Sequence, residues 1–107
     1  MISVTVFQKD DHIQGICLSG HADYADAGED IVCAAVSALA INALNSIEAF
    51  TEDSFTEDFK EEDAYLSFMM TDQISPKSEL LLLSLVLGLQ GVAQENTDYI
   101  TLTYKEV

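Results

Sequence analysis

Residues Ile2, Val4 and Val6 alternate with Ser3, Thr5 and Phe7 along the first stretch of the chain. A period of two with β-branched and aromatic side chains predicts a half-buried strand. Lys9-Asp10-Asp11 is turn chemistry, and His12 to Ser19 resumes the strand pattern, so a hairpin is predicted that ends at Gly20-His21. From Ala22 to Glu29 the chain is small, acidic and interrupted by Gly28, the composition of a loop. Near Asp30 the pattern changes. Ile31, Ala35, Ala38, Leu39, Leu44 and Ile47 sustain a helix to Phe50, with Asp30 as its cap or first-turn anion.

Ser54 to Phe59 and Ala64 to Met70 predict a second hairpin, turned at Lys60-Glu61-Glu62-Asp63. Ser75-Pro76 is a helix start, a capping hydroxyl followed by proline at the first helical position. From Leu80 to Leu89, eight residues in ten are apolar, whereas a helix lying on a sheet needs only a stripe. The excess predicts a homodimer through this Leu-rich second helix. Tyr99 to Tyr104 closes the chain with a strand. The order ββαββαβ predicts an α+β fold, a two-layer sandwich with two helices on one face of a mixed sheet, as a single domain over residues 1–107.

Composition narrows the partners. The chain is 49% hydrophobic, enough to fold despite a net charge of −15. Its 19 Asp and Glu face 4 lysines and no arginine, which repels a phosphate backbone and favours a basic protein or peptide. Nucleic acid is not an expected partner. The opening MISVTVFQKD has no basic flank or long apolar run, so no signal peptide is read and the cytoplasm is expected. Thiols stay reduced there, and no Cys17–Cys33 disulfide is expected. The run from Leu80 to Val92 is too short for a membrane span, and no membrane helix is expected.

The chemistry gathers between Gly20 and Ala40. A histidine at a strand end, a short loop and then Cys33 at a helix start make a base-and-nucleophile layout. Unpaired N–H groups at a helix N-terminus favour a thiolate, while Glu29 and Asp30 oppose it. Asp30, Cys33 and Ser37 share one helical stripe. Other readings stay open on residues alone. Cys33 can be a small core hydrophobe and His21 a surface residue, in a non-catalytic dimeric module that binds a basic protein. His21, Asp23, Asp26, Glu29 and Asp30 can also be read as hard-cation ligands, although their spacing fits neither an EF-hand nor a zinc signature. No metal and no cofactor is assigned. His12 and Cys17 read as structural.

Gly20-His21-Ala22, Gly28 and Asp30-Ile31-Val32-Cys33-Ala34-Ala35-Val36-Ser37 together resemble the signature of the ribosomal-processing cysteine protease family. The resemblance extends over the whole chain, including Gly88-Leu89-Gln90-Gly91-Val92. It implies a two-layer dimer and a cysteine endopeptidase that removes the N-terminal extension of a ribosomal large-subunit protein, cutting after an aromatic pair. Carried onto this chain, it implies Cys33 as nucleophile, His21 as its partner, and Asp30 and Ser37 as supporting residues. Ala22, Asp23, Tyr24 and Gly28 would then form the substrate loop. A −15 surface suits a basic substrate of this kind.

Overall fold

The computed structural model describes residues 1–20, 27–60 and 64–107, with Ala27 described by its backbone alone. Strands β1 (Ile2–Lys9) and β2 (His12–Ser19) form the first hairpin. Its two-residue loop has positive φ at both Asp10 (52°) and Asp11 (66°), the mirror-image turn that matches strand twist and that aspartate tolerates. Helix α1 (Ala27–Phe50) follows, then β3 (Phe55–Lys60), β4 (Tyr65–Met70), α2 (Pro76–Glu95) and β5 (Ile100–Glu106). The predicted order ββαββαβ is the observed one.

The five strands form one mixed sheet in the order β3-β4-β2-β1-β5. β5 runs parallel to β1, and the other pairs are antiparallel. Alternation places Ile2, Val4, Val6, Ile16, Leu18, Leu66, Phe68 and Ile100 on one face, where they are buried. Val32, Val36, Ala40, Ala43 and Ile47 of α1 and Leu82, Leu85, Val86 and Leu89 of α2 complete this core. The helices meet where Gly88 lets Leu39 approach: a Cβ there would stand 3.2 Å from Leu39 Cδ1.

Both helices reach the length and apolar content of a bilayer-crossing helix. Their buried stripes pack on the sheet, which accounts for part of that content. On α2, Leu82, Leu85 and Leu89 face the core, while Leu80, Leu83 and Leu87 are each more than half exposed. The opposite sheet face carries Ser3, Thr5, Cys17, Ser67, Thr101 and Thr103 and, among the described residues, has no helix over it.

The junction between α1 and α2 is held by polar side chains. Ser75 caps α2 by accepting from the Ser78 N–H at 3.3 Å, with Pro76 at the first helical position, as predicted. Asp53 Oδ2 accepts from the Ser75 N–H at 3.0 Å and the Ser75 hydroxyl at 2.6 Å. These bonds, led by the hydroxyl, hold the Asp53 carboxyl below the usual carboxylate range. Fully buried Ser78 donates to Thr51 Oγ1 at 3.4 Å.

Candidate active site

Cys33 lies on the helix side of the sheet, half-buried at the margin of the core. What stands beside it is the end of β2: a Cβ built on Gly20 would be 3.6 Å from Cys33 Sγ, 3.5 Å from Ala64 Cβ and 3.8 Å from Ile2 Cγ1. The Gly20 N–H donates to the Ala64 carbonyl at 3.2 Å, which fixes the strand end under the thiol. Gly20 is the residue before His21 in sequence, and the space its missing side chain leaves borders the sulfur. His21, Ala22, Asp23, Tyr24 and Asp26 lie outside the described residues.

The helix begins earlier than Asp30. Because α1 starts at Ala27, Gly28 and Glu29 are helical, which corrects their assignment to a loop. Their small and acidic character suits a first turn as well as a loop, since anions are favoured there. Gly28 packs under Tyr99, whose ring would stand 2.7 Å from an added Cβ. Cys33 is then the seventh helical residue rather than one of the first turn. Its N–H bonds to the carbonyl four residues back, so it is not among the unpaired N-terminal N–H groups that a start near Asp30 would place at the thiol.

Asp30 is exposed and Ser37 half-buried, and both share with Cys33 the flank of α1 turned away from α2. Glu29 Oε1 lies 2.9 Å from the Met1 amine, on the core side of the same turn. Sequence reasoning placed Gly20 in the motif but gave it no contact with the thiol, and it did not single out Ala64 or Tyr99 here. Gly20 carried a signal, because it immediately precedes His21. Ala64 and Tyr99 carried none, being brought in by strand pairing and by the return of β5.

Cys17 stands apart. It pairs in register with Thr5 and Ser67 on the uncovered sheet face, and both cysteines are free. His12 Nδ1 contacts Glu79 Oε1, joining the start of β2 to the first turn of α2. A cleft lined by Lys9, His12, Gln14 and Glu79 opens there, at the opposite end of β2 from Gly20.

The family model described as cysteine protease Prp matches residues 1–101. The ribosomal processing cysteine protease Prp of Staphylococcus aureus is 27% identical over 106 residues, covering 98% of this chain and 100% of that protein. Its counterpart in Bacillus subtilis is 27% identical over 110 residues, covering 96% of each. Among solved structures, the S. aureus protease bound to a substrate peptide superposes with a TM-score of 0.91 at 26% identity, covering 98% of this chain and 100% of that one. SMU.848 from Streptococcus mutans superposes at 0.86 with 27% identity, covering 100% and 96%.

Proposed function

The chain belongs to the Prp family of cysteine proteases, and from that premise we propose that it removes the N-terminal extension of a ribosomal large-subunit protein by cutting after an aromatic pair. The observation that carries this reading is that Cys33 Sγ stands 3.6 Å from where a Cβ on Gly20, the residue immediately before His21, would lie. In it, His21 takes the Cys33 proton and the thiolate attacks the scissile carbonyl. Collapse of the tetrahedral intermediate breaks the peptide bond, and the leaving amine takes its proton from the imidazolium. Water, deprotonated by His21, then hydrolyses the thioester and returns the thiolate.

Asp30 and Ser37 support the pair from the same helical flank. Ala22, Asp23 and Tyr24 contact the substrate, and the −15 surface steers its basic chain in the cytoplasm. The functional unit is a homodimer. The Prp of S. aureus, in complex with a substrate peptide, supports a peptide substrate for this chain as well.

Incubation with a peptide bearing an aromatic-aromatic-Ala junction tests the reading. Cleavage is expected from the parent protein and from Cys17→Ser, with loss in Cys33→Ala and His21→Ala. Equal cleavage by Cys33→Ala or His21→Ala overturns it.

A further inference from the structure

The helix-side face of edge strand β3 is only half covered. Phe55 packs edge-on against Phe68, with ring centroids 6.4 Å apart, and closes the core at one end. At the other end Phe59 is on the same face, paired in register with buried Leu66, yet is 59% exposed. Leu66 pairs in turn with Leu18, two residues before Gly20. Two strand spacings of about 4.8 Å therefore separate Phe59 from the strand that ends beneath the Cys33 thiol. An extended peptide covers such a distance in about three or four residues.

The facing wall belongs to α1. Leu39 is directed at Gly88 of α2, and Cys33 lies about 120° round the helix from it, on the side toward β4 and β3. Ser37 and Ile41 continue that flank at successive helical turns, and Ile41 is 43% exposed. Anions border the space from both sides, with exposed Asp30 and Glu48 on α1 and Glu57 on β3. Lys60 is turned to the other sheet face, 5.6 Å over the Tyr65 ring. A free aromatic ring, an apolar flank and an acidic border together suit one occupant, an extended peptide with apolar and basic side chains.

We infer that Phe59 is a specificity residue. It forms the outer wall of a channel running from Cys33 between α1 and β3, and it packs on an apolar substrate side chain three or four residues from the scissile bond. This rests on the protease reading above and adds where the peptide lies. Phe59 lies on an edge strand and already leaves most of its ring to solvent, so its truncation should cost the fold little.

The test is a set of peptides around the aromatic-aromatic-Ala junction, each with Leu or Ala at one position within four residues of the cut. They are cleaved by the parent, Phe59→Ala and Phe59→Tyr. The parent is expected to prefer Leu at one such position, and Phe59→Ala to lose about tenfold in kcat/KM on that peptide, mostly through KM. Its loss on the Ala peptide should be small, and Phe59→Tyr should restore the preference. The iodoacetamide rate at Cys33 and the unfolding midpoint should not move. An unchanged Leu/Ala ratio in Phe59→Ala, with the parent active, overturns this inference alone. No cleavage by the parent overturns the protease reading and this inference with it.

Discussion

Gly20 and Cys33 meet where β2 ends beneath the second turn of α1, so closely that a methyl group on Gly20 would stand 3.6 Å from Sγ. That is ordinary contact, and the Gly20 backbone needs no positive φ. Gly20→Ala should therefore fold with a stability change below about 1 kcal/mol. Its added methyl occupies space next to the nucleophile, so the Cys33 alkylation rate and peptide cleavage are expected to fall together. Gly20→Val should fall further, by at least about tenfold in kcat/KM, because misplacement of a reacting group is costly. Parent-like cleavage in Gly20→Val would refute a catalytic role for this contact.

Gly15 is required for a different reason. It pairs with Met69 on β4 and with Phe7 on β1, next to the register shift between Phe7 and Gln8. An added Cβ would stand 2.1 Å from the Phe68 carbonyl oxygen, a backbone atom that cannot move without breaking the ladder. Gly15→Ala is expected to cost roughly 1–3 kcal/mol or more, measured by urea unfolding. A midpoint equal to the parent's would show that β2 and β4 can separate without cost.

Asp53 ties stability to pH. Its carboxyl is held low in the folded chain by the Ser75 hydroxyl first, then by Ser78 and the Ser75 N–H. A lowered folded pKa means that the stabilisation is present above the unfolded carboxylate range and is lost as pH falls through the folded value. Asp53→Asn should thus melt below the parent at neutral pH, with the gap closing as pH drops into the acid range. Ser75→Ala should lose about 1 kcal/mol through the missing cap. A gap for Asp53→Asn that is constant with pH would assign the effect to packing instead.

Local periodicity made most of the fold legible. The alternation in β1 and β2, the Ser75-Pro76 start and the paired Phe55 and Phe68 segments each follow from residues close in sequence. The start of α1 is not legible locally because Ala27, Gly28 and Glu29 carry loop-like composition, and the contacts that accompany them as helix are distant in sequence: Tyr99 on Gly28, 71 positions away, and the Met1 amine on Glu29. The same three residues moved Cys33 out of the first turn and its N–H into the helix. The thiol itself was legible from its motif. Gly20 was legible as part of that motif, but its pairing with Ala64 was not, because the β2–β4 contact that joins them links residues far apart in sequence.

The exposed leucines of α2 bear on assembly. Leu80, Leu83 and Leu87 recur at helical spacing on the face away from the core, each more than half exposed. In a two-fold contact each leucine is buried twice, and a buried leucine is worth about 1.5–3 kcal/mol. Replacing Leu83 and Leu87 by glutamate removes that area and sets like charges against each other in a chain already at −15. Neither leucine supports the core, where Leu82, Leu85 and Leu89 lie, so the monomer fold should persist. Sedimentation of the parent at micromolar concentration is expected to give about twice the 11.7 kDa chain mass. The double variant should weaken dimerisation at least about 100-fold and sediment as a monomer with an unchanged far-UV spectrum. A parent that already sediments at 11.7 kDa would remove the dimer and leave this leucine face without a role in assembly.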